Sequence, residues 1–154
     1  MKHIDPTRAA FELFKSLPRD TPINMLNLIR YRSNAIYPDG HENAGKGWSG
    51  AQAYAEYGMT SGPVFARVGG TILWRGLFEA MVTGPDDMNW DLGFIAAYPD
   101  SAAFFEMITD PDYRLAVANR TAAVQDSRLM RFAPDGKGKG FARNAVLGLR
   151  EGTA

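Results

Sequence analysis

The stretch Arg67–Tyr98, RVGGTILWRGLFEAMVTGPDDMNWDLGFIAAY, decides how every other segment is placed. Over Thr71–Val82, Ile72, Trp74, Phe78, Ala80 and Val82 fall on one side, and Thr71, Leu73, Arg75, Leu77, Glu79 and Met81 on the other, which is the two-residue period of a β-strand. Gly84–Asn89 supplies Gly, Pro, Asp, Asp and Asn, residues that tolerate or pre-set turn dihedrals, and Trp90–Tyr98 returns as a second strand. An antiparallel hairpin is expected. With Val82 and Trp90 flanking the turn, Glu79 falls opposite Gly93 and Met81 opposite Asp91.

Upstream, Asp5-Pro6 reads as an N-cap and first-turn pair, and Ala10, Phe11, Phe14 and Leu17 recur at helical spacing until Pro18, which predicts an N-terminal helix over 5–17. PINMLNLIRYR, from Pro22, alternates Met25, Asn27, Ile29 and Tyr31 with Asn24, Leu26, Leu28 and Arg30 and predicts a strand. Ser33–Gly50 is a long loop rich in Gly, Asn, Pro and Asp, a composition that marks a functional or mobile segment. Gly50–Met59 is helical, and Ser61-Gly62-Pro63 looks like a fresh cap, so a kinked or broken helix as far as Val68 is expected.

Downstream, Pro99-Asp100-Ser101 starts a short helix, Asp110-Pro111 starts another ending near Val124, and Ser127–Phe132 is the last strand. After the leading helix the order is β-α-β-β-α-β, the α+β pattern of ferredoxin-like domains with an antiparallel sheet. Two helices cover one sheet face and leave the other for a second subunit, so a homodimer is expected. Residues 1–133 then form one domain with its N-terminal helix. Residues 134–154 form a flexible tail, in which GKGKG has the composition of a hinge and lacks the spacing and the Ser or Thr of a phosphate-binding loop.

Composition narrows the chemistry. With 154 residues, 45% hydrophobic and 22% charged, the chain fits one core. Seventeen basic residues balance seventeen acidic ones, which argues against nucleic acid or an anionic membrane as partner. The start MKHIDPTR lacks the apolar centre of a signal peptide, and no run approaches the roughly 20 apolar residues of a membrane helix, so a cytoplasmic location is expected. Cysteine is absent and His3 and His41 are the only histidines, so disulfides, thiolate nucleophiles and a three-histidine metal site are excluded within one chain. No metal and no bound cofactor are expected.

The candidate site residues follow from position. On the helix from Pro111, Tyr113, Ala116, Val117, Arg120, Thr121 and Val124 share a face, so Arg120 lies with the apolar stripe. A desolvated guanidinium needs a carboxylate such as Glu79, Asp91 or Asp126, several carbonyls, or an anionic ligand. Arg75 and Glu79 share a strand face about 13 Å apart and cannot pair tightly with each other. Glu79 and Asp91 at one sheet edge are candidates for a carboxylate pair with split pKa values and a general-base role, or are simply solvated. Tyr54, Tyr57 and Ser61 follow one helical stripe; with Asn27, Tyr31 and Trp74 they make either an aromatic pocket with polar handles or ordinary core. His41, beside Asp39 and Glu42, is either a lid acid-base group or part of a good turn. Two functions remain open: a dimer that binds a small carboxylate- or enolate-bearing molecule, with or without converting it, and a non-catalytic dimer that senses a metabolite or serves another protein.

PINMLNLIRYR, AYAEYGMTSGPVFARVGGTILWRG, VTGPDDMNWD, FIAAYPDSAAFFEMITDPDYR and NRTAAVQDSRL together resemble the bacterial family known as domain of unknown function 1330, in the dimeric α/β-barrel superfamily. The resemblance runs from about Asp5 to Phe132 and implies a ferredoxin-like fold whose sheet packs against that of a second subunit, with a cleft between sheet and helices. The chain departs from the family pattern at Asn119, where a histidine often precedes the arginine, and at Thr71, where an arginine often follows the two glycines. The superfamily also holds cofactor-independent monooxygenases, isomerases and haem-handling proteins, so it constrains architecture more than chemistry.

Overall fold

A computed structural model describes residues 2–136 and 140. The elements run α1 (Arg8–Ser16), β1 (Ile23–Tyr31), α2 (Gly50–Arg67), β2 (Thr71–Leu77), β3 (Leu92–Tyr98), α3 (Ser101–Thr109), α4 (Pro111–Ala123) and β4 (Val124–Phe132). All pairings are antiparallel in the order β2-β3-β1-β4, which is the ferredoxin-like arrangement expected. The tail beyond these residues, Phe141–Leu149 included, lies outside the described part.

Capping chemistry sets most helix boundaries. Asp100 accepts from the Ala103 N–H to start α3; Asp110 accepts from the Asp112 and Tyr113 N–H groups and Pro111 fills the first turn of α4, as expected. Ser49 and Gln52 form a reciprocal capping box at the start of α2. Helix α1 starts later than expected, because Thr7 and not Asp5 accepts from the Ala10 N–H. Helix α2 runs unbroken through Pro63, which corrects the expected break. Proline there removes one backbone donor only, and the Thr60 and Ser61 hydroxyls turn back to donate to the Glu56 and Tyr57 carbonyls within the preceding turn. Gly69, at φ +89°, then reverses the chain out of α2.

The hairpin is real but shorter than its pattern. Strand β2 stops at Leu77 and β3 starts at Leu92, so Gly76 pairs with Gly93 and Leu77 with Leu92. The expected pairings of Glu79 with Gly93, of Met81 with Asp91 and of Val82 with Trp90 are not formed. Asp91 meets Phe78, not Met81: its carbonyl accepts from the Phe78 N–H at 3.1 Å, while towards β1 its N–H donates to the Ile29 carbonyl at 2.8 Å and its carboxylate accepts from the Tyr31 N–H at 2.7 Å. Trp90 is buried with Arg30 and Arg128 over its ring. A second correction concerns facing. The register shifts between Ile72 and Trp74, so Leu73 is an extra residue, Ile72 pairs with Ala96, and Trp74 pairs with Ile95 on the opposite side. Strand β4 begins at Val124, three residues before the expected Ser127.

One sheet face carries the helices. Ile23, Met25, Val64, Val68, Ala96, Tyr98, Ala103 and Met107 form one buried cluster, and Ile29, Ala53, Tyr54, Leu92, Ala123 and Val124 a second. Phe94 touches both, and between the two clusters the sheet and helices stand apart. On the other face Leu26, Leu28 and Ile95 are half-buried, while Trp74 (53% exposed), Phe132 (52%) and Met130 (37%) stay open. No helix among the described residues is long and apolar enough to cross a membrane.

Candidate functional site

The gap between the two core clusters is a cleft of about 950 Å³. Its floor is Met25, Asn27, Phe94 and Ala96 from β1 and β3; its helical wall includes Tyr54, Tyr57, Tyr113 and Arg120; and the segment from His3 to Phe14 borders it. The strand residues point there because each sits on the helix-bearing face, one residue in two along the strand. The wall residues do so because Tyr54 and Tyr57 are one turn apart on α2, while Tyr113 and Arg120 are two turns apart on α4. Of the charged side chains around it, Arg8, Arg120 and Arg131 stand against the carboxylate of Asp5, while Arg128, opposite Leu28 on the other sheet face, is paired with Asp126.

Arg120 is more enclosed than Arg128 or Arg67. Its side chain is 16% exposed; Nη1 donates to the Ile4 carbonyl at 2.9 Å, Nη2 to Ser127 Oγ at 3.4 Å, and Nη1 lies 3.5 Å from the Asp5 carboxylate. Its partners are therefore an N-terminal carbonyl and an exposed carboxylate, not Glu79, Asp91 or Asp126. Asp126 is engaged elsewhere, accepting from the His3 and Ser127 N–H groups and from Arg128. Burial opposes its charge, but the His3 N–H and Arg128 outweigh that and hold the carboxyl below the ordinary aspartate range. Arg131 donates to the Pro18 and Phe14 carbonyls, and burial lowers its pKa.

The tyrosines form a chain of rings. Tyr31 lies 5.5 Å from Tyr54, Tyr54 lies 5.4 Å from Tyr57, and Tyr57 lies 6.2 Å from Tyr113, centroid to centroid. The Tyr57 and Tyr113 hydroxyls are 2.9 Å apart. Burial raises the pKa of Tyr54 and of Tyr113, with Arg120 partly countering it in both, so each stays protonated near neutrality. Tyr31 is raised by burial and by Asp91, and partly lowered by Arg75. Asn27 donates from Nδ2 to the Met25 carbonyl at 3.0 Å.

The structure thus gathers Arg120, Asn27, Tyr54 and Tyr57 around one space and leaves the other candidates outside it. Tyr31 and Arg75 lie beyond the Tyr54 end, and Trp74 is on the opposite sheet face over Gly93. Glu79 and Asp91 are exposed and outside the strands. His41 stacks on Tyr37 at 4.7 Å, accepts the Asn43 N–H on Nδ1, and borders a separate groove of about 410 Å³ along the outer side of α2 and α4. Among the described residues no group of three or more His, Cys, Asp or Glu is placed to hold a metal.

Two residues escaped sequence reasoning. Helical period places Tyr113 on the apolar stripe and names no partner for it, and only the approach of α2 to α4 pairs it with Tyr57. Asn119 is buried where Thr121 is exposed, because α4 packs against α2 and the long loop as well as the sheet. Its Oδ1 accepts from Tyr37 Oη at 2.7 Å and from Asn43 Nδ2 at 3.0 Å, tying down the 33–49 loop. The family resemblance marked position 119 as unusual, and that was the one signal available.

The comparisons place the chain in a family. No curated protein matches it. The RPA0582 protein of unknown function from Rhodopseudomonas palustris is 52% identical, with a TM-score of 0.81, over 89% of this chain and all of that one. The methylated form of RPA0582 gives 54% identity and a TM-score of 0.81 over 90% of this chain and 98% of that one. Residues 49–131 match the family described as "Domain of unknown function (DUF1330)". This stretch covers more than half of the sequence and contains the hairpin, α3, α4 and nearly all of β4, and the chain belongs to that family.

Proposed function

We propose that the protein is a homodimer that binds a small organic molecule bearing a carboxylate or an enolate-like oxygen in the sheet-helix cleft, with any conversion there independent of a metal or bound cofactor. The observation that carries this reading is the cationic lining of the cleft: Arg8, Arg120 and Arg131 against the single carboxylate of Asp5, set among aromatic walls, with Arg128 already paired to Asp126. A guanidinium has five N–H donors in a fixed fork, so Arg120 keeps donors for an anion after serving Ile4 and Ser127. The dimer follows from the open apolar face around Trp74, Met130 and Phe132, which a second sheet would cover.

The alternative is a dimer that senses a metabolite without converting it. The scarcity of acid-base groups supports it, since His3 and Asp5 are the titratable acid-base side chains other than tyrosine and arginine along the cleft. Native mass spectrometry of the purified protein tests both the stoichiometry and the ligand. Twice the chain mass with a bound organic acid is expected, and a ligand-free monomer at micromolar concentration would overturn the proposal. With that acid in hand, Arg120→Lys keeps the charge and loses the fork, and affinity falls more than about tenfold. His41→Ala leaves affinity unchanged.

A further inference from the structure

An anion at Arg120 accounts for one end of a ligand. The other end meets Tyr57 and Tyr113, one from each of the two helices that wall the cleft. A phenol hydroxyl carries one proton and two lone pairs. At 2.9 Å one of these tyrosines donates to the other, and the accepting one keeps a proton of its own. Neither hydroxyl has any further hydrogen-bond partner among the described residues. The pair therefore presents one unspent donor, polarised by the bond behind it, beside the apolar rings of Phe94, Tyr98 and Phe104.

Spacing adds a constraint. Tyr113 and Arg120 are seven residues apart on α4, so their backbones are separated by about 10.5 Å along the axis and nearly share a face. A flat body of one ring spans the interval between the two groups. Resting on the Arg120 reading above, we propose that the Tyr57–Tyr113 hydroxyl pair is the recognition site for a carbonyl oxygen, and that the ligand class is an aromatic keto acid with its carboxylate at Arg120 and its carbonyl on the pair. Tyr113 is then a specificity-determining residue, and Tyr57 its equivalent on α2.

The probes are 4-acetylbenzoate and 4-isopropylbenzoate, which share shape and carboxylate and differ in the acceptor. Calorimetric titration of the wild-type protein gives tighter binding of the acetyl compound, by about tenfold, against the order that apolar burial alone would set. Infrared difference spectra show its ketone stretch moved to lower frequency on binding. Tyr57→Phe or Tyr113→Phe alone leaves one hydroxyl and keeps both effects in large part. The double variant, which removes two oxygen atoms and no ring, abolishes the preference and the infrared shift. If both acids bind equally to wild type and Arg120→Lys weakens both, the carbonyl site is overturned while the Arg120 reading stands. If neither binds at millimolar concentration, both are overturned.

Discussion

Removing the Arg120 guanidinium tests how the N-terminal strap is held over the cleft. Arg120 Nη1 donates to the Ile4 carbonyl, Ser127 accepts from Arg120 on Oγ, and Ser127 N–H and Oγ both donate to the His3 carbonyl at 2.7 and 2.8 Å. The strap is thus clasped by β4 from one side and α4 from the other. In Arg120→Met the shape is kept and the donors are lost. A charge-assisted bond to a carbonyl contributes about 1.5–3 kcal/mol when enclosed, and the 16% exposure of Arg120 places it near the middle, about 2 kcal/mol. The Asp5 ion pair adds little, because that carboxylate is 67% exposed and screened by water. For a chain of this size about 2 kcal/mol lowers Tm by roughly 4–8 °C. Scanning calorimetry at one fixed protein concentration measures the fall, and hydrogen exchange at the His3 and Ser127 amides should quicken selectively. Asp5→Ala should move Tm by no more than about 1–2 °C. A shift below 1 °C for Arg120→Met, or an equal fall for Asp5→Ala, would refute the clasp.

Gly50→Ala should be among the most damaging single-methyl additions in the chain: a Cβ there meets the Arg32 carbonyl oxygen at 2.1 Å and the Ala123 carbonyl oxygen at 2.8 Å, all rigid backbone. A loss of about 3 kcal/mol or more in urea titration is expected, whereas Gly58→Ala, open on every side within the same helix, should be neutral or stabilising by up to about 1 kcal/mol. Asn119→Ala removes the acceptor shared by Tyr37 and Asn43 and should cost about 2 kcal/mol, with protease cleavage appearing first within 33–49; unchanged cleavage would show that the loop is held by its backbone contacts alone. Because the Asp126 carboxyl sits below its ordinary value of 3.8, the unfolded chain binds its proton first as pH falls, so its contribution is complete above that value and lost below it. Asp126→Asn should therefore flatten the acid limb of the stability curve below about pH 4, and an unaltered limb would count against the His3 and Arg128 partnership.

Local chemistry between residues two or three apart was legible in the sequence at Asp100 and Asp110, though not at Thr7 or in the Ser49–Gln52 box. The Asp100 and Asp110-Pro111 caps, the alternation of β1 and the element order were all readable, and the order with its loop lengths implies the ferredoxin-like sheet. Even the placement of Arg120 on an enclosed face followed from helical period. Tertiary structure decided whatever depended on a distant partner. The hairpin ladder ends at Leu77 and the Phe78 N–H, while the Asp91 carboxylate, sixty residues from Tyr31, accepts from its N–H; no alternation pattern carries that information. The slip at Leu73 likewise depends on which β3 residue each β2 residue meets. Candidate carboxylate partners for Arg120 are visible as letters, whereas the Ile4 carbonyl that it binds is a backbone group every residue owns. Tyr57 and Tyr113 each read as core aromatics, and only the packing of α2 on α4 turned two ring positions into a hydroxyl pair.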